Sequence, residues 1–147
     1  MKMTPEETLL IERECERLVV EAVYCADRQD YAGLAALFTA DGSLGRPGGG
    51  APLVGRETIQ KSYEGRPATR ITRHLCTNIR VTVESAERAR GLTYVLLFTG
   101  NSAEPAPDHF GRTADAKQLV GEFEDEFERT PQGWRIRARQ ARFLLHT

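Results

Sequence analysis

The strongest constraint in this chain is a pair of alternating runs near its C-terminus. Glu122, Glu124, Glu126 and Glu128 interleave with Gly121, Phe123 and Phe127. After Thr130-Pro131-Gln132-Gly133, Trp134, Ile136 and Ala138 interleave with Arg135, Arg137 and Arg139. A period of two puts one set on each face of a strand, and the Pro-Gln-Gly segment supplies the turn, so the two runs predict an antiparallel hairpin. Its glutamates and arginines are expected opposite each other on the outer surface. Asp125 breaks the pattern, because it shares the parity of Phe123 and Phe127. Either it points inward and needs a partner, with a role at a pocket, or a bulge turns it outward.

The same period marks two further strands, Thr72 to Glu84 and Ala89 to Thr99, and the hairpin strands run from Gln118 to Arg129 and from Trp134 to Leu145. The first third of the chain has a different rhythm. Thr4-Pro5-Glu6-Glu7 combines a capping hydroxyl, a proline at the first helical position and a glutamate three residues on. Leu10, Ile11, Cys15, Leu18, Val19, Ala22, Val23 and Ala26 then recur as one helical stripe. A second short helix is expected over Tyr31 to Phe38, a turn at Asp41-Gly42, a short strand around Ser43-Leu44-Gly45, and a third helix from Arg56 to Glu64. The stretch from Gly100 to Ala116, with two prolines and two glycines, reads as a long loop able to act as a lid. No repeat or linker interrupts the 147 residues, so a single domain over 1–147 is expected.

Bulk chemistry removes several function classes. Twenty basic and 21 acidic side chains nearly cancel, so no global field recruits nucleic acid or anionic lipid. No apolar run approaches the ~20 residues of a membrane span, and the N-terminus lacks the apolar core of a secretion signal. Cys15, Cys25 and Cys76 are scattered, without a CxxC pair, and read as reduced thiols of a cytoplasmic protein. No metal site is expected, since His74 and Cys76 have no further ligands at the usual spacing. Gly48-Gly49-Gly50 lacks the lysine and hydroxyl residue of a phosphate loop.

The residues with chemistry to offer are Asp27, beside the stripe at the end of the first helix, and His74, at the start of a strand. A carboxylate that orients an imidazole makes a base able to take a proton from carbon near neutral pH. Taken singly, each has a plainer explanation. Asp27 can be a helix-end carboxylate paired with Arg28 or Arg73, and His74 a strand-edge histidine. Tyr24, Phe38, Tyr63 and Phe98 are candidate substrate-pocket walls, and core packing accounts for them equally well. His109 lies in the long loop, where it either closes over a ligand or is simply solvated.

Three segments carry a resemblance. The run "YCADRQDYAGLAALFTADG" resembles the helix bearing the catalytic aspartate of scytalone dehydratase and related lyases. "RHLCTNIRVTVESAERARG" resembles the strand that begins with their catalytic histidine, and "FEDEFERTPQGWRIRARQA" is similar to the closing hairpin of a bacterial dehydrochlorinase. Together with the element order, they make the chain similar to the SnoaL-like branch of the nuclear-transport-factor-two-like superfamily. The resemblance implies an α+β fold, a cone of curved antiparallel sheet wrapped around N-terminal helices. It implies catalytic roles for Asp27, His74 and Arg139, no cofactor, a small hydrophobic cyclic or aromatic substrate, and a homo-oligomer, dimer or trimer. The activity expected is that of a lyase or isomerase. The alternative is a non-catalytic binding protein, or an accessory protein like the small subunit of aromatic-ring dioxygenases. By parity His74 and Arg139 face outward; bulges near Thr77-Asn78 and in the last strand would turn both inward.

Overall fold

The computed structural model describes residues 2–147. Helix α1 spans Pro5–Asp27 and begins as its sequence dictates. The Thr4 hydroxyl accepts from the Glu7 amide at 3.1 Å, and the Glu7 carboxylate accepts from the Thr4 amide at 2.8 Å. Two of the helix's orphan donors are thereby satisfied. The apolar stripe is buried from Ile11 through Val23, whereas Leu10 at its start is exposed. Gln29, in the left-handed region at φ 60°, breaks the helix, and Asp30 caps α2 (Tyr31–Ala36) by accepting from the Gly33 amide at 2.9 Å.

Helix α2 stops two residues short of the expected end. Phe38, fully buried, instead opens strand β1 (Phe38–Gly45), where it lies beside Ile136. The Ile136 amide donates to the Leu37 carbonyl at 2.8 Å. Pairing with a distant strand outweighs the local helical spacing of Leu34, Leu37 and Phe38. Asp41-Gly42, expected as a turn, forms an irregularity within β1 between Phe38 and Ser43. The two-residue β2 (Leu53–Val54) and helix α3 (Arg56–Glu64) follow, the latter fixed by the fully buried Ile59.

The four remaining strands are β3 (Arg70–Val83), β4 (Arg88–Asn101), β5 (Leu119–Thr130) and β6 (Gly133–His146), each close to its sequence-derived limits. All strands join one six-stranded sheet in the order β2-β1-β6-β5-β4-β3. The expected antiparallel sheet is in fact mixed, because β1 runs parallel to β6. The four C-terminal strands are consecutive and antiparallel. β1 reaches the sheet from the far side of the chain, and no hairpin sets its direction.

The core joins Cys15, Val19 and Ala22 of α1 to Phe38, Ile59, Phe127, Trp134 and Ile136. Phe127 fits because its ring lies diagonally over Gly91, the partner of Asp125 in the β4–β5 pair; a Cβ there would stand 2.8 Å from the ring. The charged ladder of the final hairpin departs from expectation. Arg142 takes Glu122 and Glu124, at 2.9 and 2.8 Å, while Arg139 faces the interior. The cause is a register shift between Glu126 and Phe127, which leaves Arg137 as the extra residue opposite them and reverses the parity beyond it. A second shift lies between Thr77 and Arg80 on β3, with Asn78 in the left-handed region at φ 53°. His74 and Cys76 before it and Ile79, Val81 and Val83 after it therefore share the inner face, and Leu75 is exposed.

Candidate functional site

An interior cavity of about 170 Å³ lies between the helices and the curved sheet. Ala22, Val23 and Ala26 of α1, Leu34, Leu44, Tyr63, Val95, Leu97, Phe123 and Phe143 give it apolar walls, and His74 and Arg139 bring polar groups into it. Gly121 also lines it; a Cβ there would collide with the Arg142 carbonyl. A larger depression, about 570 Å³, lies among Arg80, Arg90, Glu124, Glu126 and Gln140 and does not include His74.

His74 lines the cavity of about 170 Å³, and Asp27 meets it from behind. The Nδ1 atom of His74 is 2.6 Å from Asp27 Oδ1, and the His74 backbone amide donates to Oδ2 at 3.0 Å. The Thr72 hydroxyl donates to Oδ1 at 2.8 Å. Burial would raise the Asp27 carboxyl, but the donors from His74 and Thr72 outweigh it and hold the group below its ordinary value. Neither Arg28 nor Arg73 pairs with Asp27. Arg28 binds Glu21 at 3.2 Å, and Arg73 donates to the Thr72 carbonyl. With Nδ1 engaged, the neutral ring carries its proton there, and Nε2 is left as the nitrogen able to accept one.

Arg139 forms a two-pronged pair with Asp125, Nε to Oδ1 at 2.7 Å and Nη2 to Oδ2 at 2.9 Å. The side chains are only 6% and 0% exposed, so the pairing is what makes either charge tolerable. Burial works against the Arg139 charge, and the adjacent Asp125 carboxylate more than restores it, leaving its pKa raised. The guanidinium also lies over the Phe123 ring at 4.0 Å. Asp125 thus points inward, and it meets the cavity through Arg139.

Three of the four expected aromatic walls stand elsewhere. Tyr24 is 56% exposed on the outer side of α1, beside Arg28, because three residues before Asp27 the helix surface has already turned away from the sheet. Phe38 is consumed by the core. Phe98 has the parity of Leu96 and Tyr94, opposite to the inward Val95 and Leu97, and lies outside the cavity. Tyr63 alone lines it, stacked on Tyr31 at 5.4 Å. His109 packs beside Phe110 in the exposed 100–116 loop and does not reach the cavity. Burial pushes the Cys76 thiol up to about 11 and that of Cys15 to about 12, which disfavours either as a nucleophile.

Sequence reasoning passed over Thr72, Phe123, Phe143, Arg66 and Arg70. Thr72 was within reach, since it precedes His74 by two residues and so shares its face. Among the described residues, no cluster of three or more His, Cys, Asp or Glu is placed to hold a metal ion. No helix among them is long and apolar enough to cross a membrane.

A family model described as a SnoaL-like domain matches residues 7–140. The chain belongs to the SnoaL-like domain family. Its fold is shared with a putative scytalone dehydratase from Novosphingobium aromaticivorans, at 23% identity and a TM-score of 0.82 over 98% of this chain and 91% of that one. A hexachlorocyclohexane dehydrochlorinase of type 2 superposes with a TM-score of 0.79 at 17% identity, over 98% of this chain and 92% of that one. An NTF2-like protein with a cystatin-like fold, also from N. aromaticivorans, is 26% identical over 92% of this SnoaL-like chain and 84% of its own length, with a TM-score of 0.74. No functionally curated protein matches the chain.

Proposed function

We propose that this SnoaL-like protein is a cofactor-independent lyase or isomerase in which His74 is the general base and Asp27 its orienting partner. The observation that carries the reading is the 2.6 Å contact between His74 Nδ1 and Asp27 Oδ1 at the wall of a largely apolar cavity. Nε2 removes a proton from a carbon next to a carbonyl or comparable activating group. The imidazolium so formed is stabilised by Asp27, which Thr72 and the His74 amide also hold in place. Arg139 spends only two of its five N–H groups on Asp125, so others can meet the charge that develops on the activating group. The electron pair then expels a leaving group from the neighbouring carbon, as in a dehydratase or dehydrohalogenase, or takes up a proton at another carbon, as in an isomerase. The apolar walls favour a small cyclic or aromatic molecule.

The test is solvent-deuterium incorporation at the α-carbon of small cyclic enones and β-hydroxy ketones, followed by NMR. Wild-type protein should catalyse exchange for at least one of them, and His74→Ala should lower the rate by on the order of 10²–10⁴-fold. Asp27→Asn should lower it comparably, while both variants remain folded. Folded variants that retain full exchange would remove the dyad from the reaction. Saturable binding with no exchange in the wild type would favour the non-catalytic small-molecule binding protein.

A further inference from the structure

The charges around the cavity are unevenly placed: some of its arginines are paired with carboxylates and two are not. Four arginines line it: Arg66, Arg70, Arg139 and Arg142. Arg139 is neutralised by Asp125, and Arg142 is shared by two carboxylates, Glu122 and Glu124, which leaves one net negative charge on that side. Arg66 and Arg70 form no salt bridge among the described residues. Asp27 does not offset them. Its carboxylate sits behind the His74 ring, only 10% exposed, with both oxygens engaged.

Both free arginines stand on rigid supports. The Arg66 guanidinium lies 4.3 Å over the Tyr63 ring, which is itself stacked on Tyr31. The Arg66 side chain makes no hydrogen bond or salt bridge among the described residues, so its N–H groups are available. Arg70 opens β3 with the parity of Thr72 and His74, about 13 Å of strand before the proposed base. The loop between the two arginines is tied to the end of α1. The Gln29 side-chain amide donates to the carbonyls of Ala68 and Arg70 at 3.0 and 3.1 Å. Two guanidiniums held at the rim, with a base further along the same strand face, form a receptor with a charged end and a reacting end. Planar guanidinium edges match carboxylate oxygens in pairs.

The cavity sets the size of what lies between. At about 170 Å³ it is close to the roughly 150 Å³ that holds a benzene molecule. We propose that the ligand of this site is a monocyclic organic acid, its six-membered ring in the apolar cavity and its carboxylate at the rim on Arg66 and Arg70. The proposal rests on the base assignment only for where the reacting carbon lies, beside His74; the carboxylate recognition stands on the two arginines.

The experiment is calorimetric titration of the protein with benzoate and cyclohex-1-enecarboxylate, each against its neutral amide, and with phenyl phosphate. The carboxylates should bind about tenfold or more tightly than the amides, as charge-assisted pairing requires, and added salt should narrow the gap. Arg66→Gln and Arg70→Gln should each reduce that preference, weakening carboxylate binding more than amide binding. Arg70→Lys should restore part of it. Equal affinity for acid and amide, no saturable carboxylate binding at millimolar concentration, or a preference that survives in the double glutamine variant would overturn the proposal. So would phenyl phosphate binding tighter than benzoate, which assigns the rim to phosphate esters. His74→Ala should keep the carboxylate preference, so failure of the base and failure of this assignment give different results.

Discussion

Removing Arg139 while leaving Asp125 in place should be among the costliest single changes this protein can sustain. Asp125 is 1% exposed, and its carboxylate oxygens face the guanidinium at 2.7 and 2.9 Å. Arg139→Met keeps a comparable apolar stem and strands that carboxylate away from water. Breaking one side of such a pair costs about 3–5 kcal/mol, a large part of the about 5–15 kcal/mol that holds a domain together. At this chain length each kcal/mol lowers the melting temperature by roughly 2–4 °C, so a fall of about 6–20 °C is expected. Asp125→Leu should cost a similar amount, because the buried guanidinium cannot shed its proton. The double variant Asp125→Leu/Arg139→Met removes both charges and should recover to within about 2 kcal/mol of the wild type. Thermal and urea unfolding followed by circular dichroism gives the three values and their coupling. Single variants that cost under about 1 kcal/mol, or effects that simply add in the double, would show that water reaches the pair, and would refute this account of it.

Two further outcomes follow from the geometry. The folded-state pKa of Asp27 is depressed, so its interactions add stability above the ordinary aspartate value of about 3.9 and lose it as pH falls through the depressed value. The difference in urea midpoint between wild type and Asp27→Asn should therefore shrink only below about pH 4, whereas a constant difference down to pH 2 or so would place its origin outside this titration. We also expect the protein to self-associate as a dimer or trimer. Leu75, Leu96, Val120 and Leu145 are successive partners across β3, β4, β5 and β6, and three of the four are well exposed. Sedimentation at micromolar concentration should give a multiple of the monomer mass, and Val120→Glu with Leu145→Glu should reduce it to the monomer; a wild-type monomer would rule the association out.

The fold was legible wherever a local rhythm survives. The capping box at Thr4 and Glu7, the stripe on α1 and the period-two runs of β3 to β6 need no knowledge of their neighbours. What failed depends on partners far away in sequence. Phe38 carries the spacing of a helix yet is taken by a strand beside Ile136. The bulges expected near Thr77-Asn78 and in the last strand are, by contrast, present at Asn78 and Arg137, and they turn His74 and Arg139 inward. Asp27 and His74 were found as a pair of useful side chains, but their contact depends on the distance closed between α1 and β3. Thr72 and the outward parity of Phe98 were readable from alternation alone. The gap in charge between Arg66 and Arg70 was not, because an arginine is uncompensated only by virtue of what surrounds it.

In the proposed mechanism Asp27 fixes the proton of His74 on Nδ1 and leaves Nε2 free to act. The protein has only three histidines, so nitrogen-15 NMR of the imidazoles can separate them, with His74→Ala giving the assignment. In its neutral form the His74 ring should carry its proton on Nδ1 and be bare on Nε2, with that preference lost in Asp27→Asn. A ring that carries its proton on Nε2 in the wild type, or a tautomer indifferent to Asp27→Asn, would contradict it.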